Sequence, residues 1–250
     1  MSLTRALTRG RARVTLRAVS DEPRPDLERL LGEPSFEDLE FLGLDMQGVD
    51  LRGKEFTHCV FTHCKAQETQ WRGARLDDCR FDRCDLTRMQ PRGMLAHDLQ
   101  FTDCKLMGVE WADLGQFPRL SFHDCVLDFA SFVALSLRKT DFLRCKIAEA
   151  NFFDVDLREA NFAGSDLRGS MVRGCKLAKT DFSAATGLCF DPAINEARGA
   201  IIPLETAALM AMQLGLHVAG FSAGGDGPAP ATAGKPRTGA SRTARTMRTR

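Results

Sequence analysis

The sequence has no tyrosine and only two tryptophans, although phenylalanine is abundant, with 17 copies in 250 residues. It contains no apolar run long enough for a membrane-spanning helix. The first twenty residues carry five arginines and no acid, and they lack the uninterrupted apolar core of a secretory signal. No glycine-rich phosphate loop or nucleophile elbow is present. These absences argue against a membrane protein, an exported protein and the common enzyme classes.

Cysteine is frequent, with nine copies, but the odd number argues against a framework of disulfides. Without export the thiols are expected to stay reduced, which fits a cytoplasmic protein. The stretch FTHCVFTHCK (56–65) nevertheless places two His-Cys pairs five residues apart, at His58-Cys59 and His63-Cys64. This stretch raises the question of a metal site.

Apolar residues recur with a period of five over most of the chain. Counting in fives from Phe36 to Trp111, large apolar residues fill all but three of the leading positions. The register slips by one residue within ADLGQFPRLS (112–121) and resumes at Phe122. A period of five fits neither a helix nor a strand. It fits a chain that turns a corner every five residues, with the leading residue and the small residue two places before it facing inward.

A second period of twenty indicates how many pentads close one coil. Every fourth pentad begins with phenylalanine, once the slip is counted as one extra residue. The eight residues of this column are Phe41, Phe61, Phe81, Phe101, Phe122, Phe142, Phe162 and Phe182. Twenty residues therefore predict one coil with four faces. About seven coils, stacked at roughly 4.8 Å, predict a rod about 35 Å long.

The cysteines follow the same repeat. Eight of the nine occupy the small inward position, and only Cys189 lies elsewhere. A free cysteine behaves as a small buried hydrophobe, which suits that position. His58 and His63 occupy outward positions on successive faces, so they cannot join inward cysteines around one tetrahedral ion. We therefore predict packing cysteines, no metal site and no cofactor.

The segment AEANFFDVDLREANFAGSDLRGS (148–170) shows the pentad Ala-Asp/Asn-Leu-x-x. It strongly resembles the pentapeptide repeat family. The resemblance implies an all-β fold, a right-handed quadrilateral β-helix, which we assign to residues 36–186. Residues 1–35 are interpreted as a basic arm with a short helix from Pro25 to Leu31. Residues 221–250, rich in Ala, Gly, Pro and Thr, are expected to be a disordered basic tail.

Residues 187–220 are predicted to cap the coil. Pro203 suits the first turn of a helix, LETAALMAMQL is helical, Gly215 ends it, and Leu216 to Val218 are predicted as a short strand. This ending resembles that of the Qnr-type gyrase-protecting proteins, in which the helix and strand form a twofold dimer. The implied dimer interface consists of Leu204, Leu209, Met212, Leu216 and Val218.

Charge is unevenly distributed. Residues 36–186 have a net charge of −4, whereas residues 1–35 and 187–250 have +2 and +3. Acidic residues gather in one corner column of the predicted coil: Glu37, Asp38, Asp77, Asp78 and Asp98. Arg138, Lys139 and Lys179 appear further along that column, so the acidic stripe does not run the full rod. A mixed charged surface is usually a solvated face, whereas electrostatic steering needs a sustained field.

The resemblance implies a protein without enzymatic activity that binds DNA gyrase or topoisomerase IV in the manner of duplex DNA. It would protect the enzyme from a topoisomerase poison, as antibiotic resistance or as self-immunity. The acidic column is the predicted contact, and the rod itself is not predicted to bind nucleic acid or a membrane. The alternative is a pentapeptide scaffold with another protein partner. The weak acidity favours that alternative, as does the absence of the long loops that interrupt Qnr proteins.

Overall fold

The computed structural model describes residues 26–115 and 117–221. Most of the predicted N-terminal arm (1–25) and the predicted tail (222–250) lie outside these residues. In chain order, the elements are α1 Leu27–Gly32, β1 Ser35–Glu37, β2 Glu40–Leu42, β3 Glu55–Thr57, β4 Val60–Thr62, β5 Arg75–Asp77, β6 Arg80–Asp82, β7 Leu95–His97, β8 Leu99–Thr102, β9 Glu110–Trp111, β10 Leu120–His123, β11 Ser131–Val133, β12 Asp141–Leu143, β13 Asn151–Phe153, β14 Met171–Arg173 and α2 Leu204–Gln213.

Each strand is short because the chain turns after every pentad. In β2, Phe41 is buried between exposed Glu40 and Leu42. The position two residues before a leading residue is also buried, as Cys59 is before Phe61. Both predicted inward positions are therefore confirmed. Because two residues in every five face inward, the chain shows neither the helical period nor the strand period.

The coils stack through parallel pairing at a spacing of twenty residues, as in Phe36 opposite Phe56. Three faces form sheets with strand orders β1-β3-β5-β7, β12-β10-β8-β6-β4-β2 and β14-β13-β11-β9. The remaining face is held by isolated bridges such as Lys65 with Asp85. At the register slip the spacing becomes twenty-one residues, because β10 pairs with β8 across the extra residue. The predicted four-sided β-solenoid is confirmed.

The solenoid continues beyond residue 186, where the sequence interpretation places its end. The backbone of Asp181 still pairs in parallel with that of Ile201. The period of five fades here because the leading position holds Gly187. Phe190 is buried instead, with its ring centroid 6.3 Å from that of Phe182. The predicted cap segment, 187–220, therefore begins inside the last coil.

The predicted phenylalanine column forms a continuous stack along the axis. The rings of Phe142 and Phe162 are nearly parallel, at 7° and 4.6 Å between centroids. Phe122 stacks on the other side of Phe142 at 5.1 Å, and the rings of Phe132 and Phe152 meet Phe142 edge-on. Edge-to-face and offset-stacked contacts suit the quadrupole of aromatic rings, and the Phe142 ring is held by both kinds of contact.

Eight of the nine free cysteines are buried, and Cys189 is exposed. The thiol of Cys104 donates to the carbonyl oxygen of Phe81 at 3.3 Å. Ser165 makes the equivalent bond to Phe142 at 2.7 Å, so the position favours a small hydrogen-bond donor. Burial raises the pKa of the Cys175 thiol. The eight buried cysteines are therefore packing residues, as predicted, while His58 and His63 are exposed.

Thiol reactivity is expected to separate the two kinds of cysteine. In the native protein one thiol per chain, Cys189, should react with Ellman's reagent, and all nine should react after unfolding. The reason is that the thiolate is the reactive form, and burial both blocks access and disfavours ionisation. The Cys189→Ser variant should show no fast-reacting thiol. Two or more fast-reacting thiols in native protein would contradict this assignment.

The N-terminal end of the solenoid is covered by α1. The carboxylate of Asp26 caps this helix by accepting from the backbone N–H of Arg29 at 2.9 Å. Leu30 is fully buried against the first coil. Neither helix within residues 26–115 and 117–221 has the length and apolar content to cross a membrane.

The predicted C-terminal helix is confirmed as α2, which begins after Pro203 and is followed by Gly215 in a left-handed conformation with φ of 81°. The hydroxyl of Thr206 donates to the carbonyl oxygen of Leu188 at 3.2 Å and anchors the helix to the last coil. The predicted strand at 216–218 is not formed. A strand requires a hydrogen-bonding neighbour, which in the dimer hypothesis would be the second copy.

Candidate functional site

The residues predicted to bind a partner lie along one corner of the solenoid. We define the charged corner as the turn after the first face in each coil, at residues 37–38, 57–58, 77–78, 97–98, 118–119, 138–139, 158–159 and 178–179. The second residue of these turns is commonly left-handed, with φ of 54° at Asp38 and 61° at Lys179. Asp and Asn tolerate this conformation better than most residues. The corner thus presents one or two polar side chains per coil to solvent, in register along the rod.

The N-terminal half of the charged corner is acidic. The structure brings all five predicted partner-binding residues together here: Glu37, Asp38, Asp77, Asp78 and Asp98. Backbone bonds between coils hold the corner, since the N–H of Asp78 donates to the carbonyl of His97 at 2.9 Å. At about 4.8 Å per coil, the five carboxylates are spread over about 15 Å along the axis of the rod.

Two histidines lie among these carboxylates. His58 Nδ1 is 3.5 Å from Asp38 Oδ1, and His97 Nδ1 is 2.9 Å from Asp77 Oδ1. The polar atoms of Glu37, Asp38 and His58 all lie within 4.8 Å of one another, a distance that could suit a divalent cation. All three side chains are exposed, and such exposed groups are common without an ion. We therefore treat them as part of the acidic half.

The C-terminal half of the same corner is basic. It carries five cations and one acid: Arg119, Arg138, Lys139, Arg158, Lys179 and Glu159. Arg119 meets the acidic half directly, with its Nη2 2.7 Å from Asp98 Oδ2. Glu159 lies 3.4 Å from Arg138 and 3.8 Å from Lys139. The sign of charge along the corner therefore inverts at the register slip, between residues 98 and 119.

An apolar hollow lies beside this inversion. It measures about 290 Å³, and its lining includes Leu95, Leu114, Phe117, Asp77 and His97. Phe117 is 76% exposed and Leu95 is 44% exposed. The first sheet ends at β7. In the next coil the loop between β9 and β10, which contains the slip, lies beside β7 in place of a further strand. The slip thus exposes two large apolar side chains next to the charged corner.

The predicted dimer residues lie at the C-terminal end of the rod, in and after α2. Leu204 is 85% exposed, Leu216 59% and Met212 39%, while Leu209 and Val218 are half-buried. Exposed apolar side chains grouped on one segment are typical of an interaction surface. The structure of the single chain leaves this surface uncovered among the described residues.

Some of this site could not be found from the sequence. The slip moves Arg119 into the charged corner, because its spacing from Asp98 is twenty-one residues and not twenty. Counted back from Phe122, Phe117 falls on a leading position and would face inward, so the repeat pattern did not predict its exposure. A residue count that follows the slip could have found Arg119, whereas only the structure identifies the hollow.

Two family models match the chain. One, described as a pentapeptide repeat region, matches residues 96–182, and one, described as pentapeptide repeats in eight copies, matches residues 55–88. None of the curated proteins matches the sequence. Among solved structures, HetL, a pentapeptide repeat protein involved in heterocyst differentiation regulation from the cyanobacterium Nostoc sp. strain PCC 7120, has 15% sequence identity. The match covers 72% of this chain and 94% of that chain, with a TM-score of 0.52.

A trypsin-treated form of QnrB1, a plasmid-mediated fluoroquinolone resistance protein, also matches. It has 20% identity and a TM-score of 0.47, and the match covers 74% of this chain and 89% of that one. The repeat architecture and the family models together define a β-solenoid of the pentapeptide type. The chain thus carries the repeats of the pentapeptide repeat proteins over residues 55–88 and 96–182.

Proposed function

We propose that this protein is a cytoplasmic, non-enzymatic rod that binds a protein partner through the acidic half of its charged corner. The proposed partner is bacterial DNA gyrase or topoisomerase IV, which the rod would protect from a poison of the cleavage complex. The observation that supports this proposal is the grouping of five carboxylates within four coils, four of them exposed and that of Asp98 half-buried. The filled interior supports a role without catalysis, because large apolar side chains occupy the axis.

Electrostatics would make such a rod a competitor of DNA. Duplex DNA presents closely spaced negative charge, and most of its affinity for proteins comes from contacts with that charge. Five carboxylates along about 15 Å of a stiff corner give roughly one negative charge per 3 Å, within about a factor of two of the charge density of duplex DNA. A groove built for DNA would therefore attract the acidic half.

Dimerisation would lengthen the rod. Two chains joined at the exposed apolar end of α2 would form a rod of about 70–80 Å, at twice the single-chain length expected from the coil spacing. In that arrangement the acidic halves lie towards the two outer ends. Each end could then contact one half of a twofold-symmetric enzyme, as an isologous dimer requires.

The test reverses the charge of the acidic half. The Asp77→Lys/Asp78→Lys variant should weaken binding to gyrase about tenfold, by roughly 1.4 kcal/mol, because repulsion replaces attraction at the proposed contact. The measurements are direct binding and protection of supercoiling from several classes of poison. The wild-type affinity should also fall as salt is added.

A matched control, Glu149→Lys/Asp154→Lys, changes charge by the same amount at exposed residues on other corners. Its binding should stay near that of wild type.

The second candidate function is a scaffold for another protein partner. The basic half of the corner favours it, because a uniform DNA mimic would continue its negative charge past residue 98. A partner that carries both signs of charge would fit this corner better than a DNA groove does. If a folded protein neither binds gyrase or topoisomerase IV nor protects either from any poison, the topoisomerase proposal fails and the scaffold is retained.

A further inference from the structure

We infer that the charged corner binds a second copy of this chain, with the two rods lying side by side and antiparallel. This contact is independent of the proposed topoisomerase partner and of the apolar end at α2. Three observations carry it: the inversion of charge at the slip, the exposed apolar residues at that point, and the coil-by-coil match of opposite charges when the rod is reversed.

A twofold axis at the slip places each turn of the acidic half opposite a turn of the basic half. Counting outward from the axis, the second turn on one side carries Asp77 and Asp78. The second turn on the other side carries Arg138 and Lys139, which belong to the same column as Asp78, because β10 pairs with β8 and with β12 in continuous register. An isologous contact therefore forms this match twice, once on each side of the axis.

The remaining turns also match. The outermost acidic turn, 37–38, faces Lys179. The turn with His58 faces the one turn of the basic half that contains an acid, Glu159. Arg158 in that turn is already engaged within its own chain, at 2.5 Å from a carboxylate oxygen. No turn of the corner thus brings two uncompensated groups of like charge together.

The centre of this contact is apolar. The innermost turns carry Asp98 and Arg119, and Phe117 and Leu95 lie beside them. On a twofold axis the exposed ring of Phe117 would meet the hollow of the second copy. Burying exposed aromatic surface at the centre of an interface, with charged residues around it, is the usual arrangement of a specific contact.

The size of the charged corner determines how tightly the two copies are expected to bind each other. Eight turns at about 4.8 Å give a contact about 34 Å long, but only one corner wide. Interfaces of that size are weak and transient, and exposed ion pairs contribute little each. We therefore expect a concentration-dependent pair that dissociates at high salt. Since it covers the acidic half, self-association and binding of a partner there would exclude each other.

The test mixes two charge-reversed variants of the full-length chain. Asp77→Lys/Asp78→Lys places cations opposite cations in its own pair, and Arg138→Glu/Lys139→Glu places acids opposite acids. Each variant alone should self-associate at least about tenfold more weakly than wild type, since several exposed ion pairs are lost. An equal mixture should recover association, because both contacts of the mixed pair then join opposite charges. Sedimentation at low salt and energy transfer between labelled copies would measure this.

The control for general attraction between oppositely charged proteins is Arg72→Glu/Arg92→Glu. It makes the same change of charge at exposed residues of another corner. Mixing it with Asp77→Lys/Asp78→Lys should give no comparable recovery. Phe117→Ser, which changes no charge, should weaken association of the otherwise wild-type chain. If the mixture of charge-reversed variants associates no better than either variant alone, or no better than the control mixture, the side-by-side contact is wrong. Because these measurements use the isolated protein, their outcome does not depend on topoisomerase binding.

Discussion

Replacing Phe142 by alanine is expected to lower the free energy of unfolding by about 3–5 kcal/mol. The ring is fully buried and lies between Phe122 and Phe162, with stacking distances of 5.1 and 4.6 Å. The stacked backbones of the neighbouring coils are fixed by their hydrogen bonds. The cavity could therefore collapse only partly, which places the expected loss at the high end of such substitutions.

The matched control is Phe129→Ala, which removes the same atoms from a side chain that is 54% exposed. Its effect should stay within about 0.5 kcal/mol of wild type, as for most surface substitutions. Urea unfolding followed by circular dichroism measures both variants. A repeat protein can unfold in segments. The free energies of the two variants should therefore be compared only if their unfolding curves have the same dependence on urea concentration. Equal losses at 142 and 129 would contradict the axial phenylalanine stack.

The fold could be predicted from the sequence because the repeat acts at every level. The leading phenylalanines define the axis, and the small residues two positions before them, such as Cys104 and Ser165, define the space beside it. The twenty-residue spacing of the phenylalanines then defines four faces. Each of these features depends only on local size and polarity, which can be read from the sequence.

The sequence prediction fails at the C-terminal end of the solenoid, where the size of individual side chains no longer determines the backbone conformation. Gly187 interrupts the column of leading residues, yet the backbone pairing continues to Ile201. Residues 216–218 have the apolar character of a strand, but they form none, because a strand also needs a neighbour. The boundary of the solenoid and the state of its end therefore depend on pairing, which a residue pattern does not contain.

The charged corner was predictable in part. The five acids could be assigned to one column because the twenty-residue spacing holds without interruption from Glu37 to Asp98. The inversion of charge is visible in Arg138, Lys139 and Lys179. Counting back from Phe122 places Arg119 in this column, whereas counting twenty residues forward from Asp98 gives Pro118, so the sequence offers two placements of the inversion. The contact between Arg119 and Asp98 at 2.7 Å decides that placement.

The second large effect is expected at the C-terminal end of the rod. Leu204→Asp combined with Leu216→Asp should convert the proposed homodimer into a monomer. Both leucines are more than half exposed in the single chain, so the substitution should leave the fold of the monomer intact. Across a twofold interface four leucines would be lost, each with a burial energy of about 1.5–3 kcal/mol. Since about 1.4 kcal/mol is a factor of ten in Kd, dimer affinity should fall by several orders of magnitude.

Leu31→Asp with Leu42→Asp is the control, because it makes the same two substitutions at exposed leucines near the other end of the rod. That variant should remain dimeric in sedimentation. Salt separates this dimer from the side-by-side pair, because an apolar contact persists at high ionic strength whereas exposed ion pairs are screened. At 0.5 M salt, taken as about five times the ionic strength at which the Debye length is roughly 10 Å, wild type should still be a dimer and the Leu204/Leu216 variant a monomer. A dimer that survives both substitutions at high salt would place the main interface elsewhere on the chain.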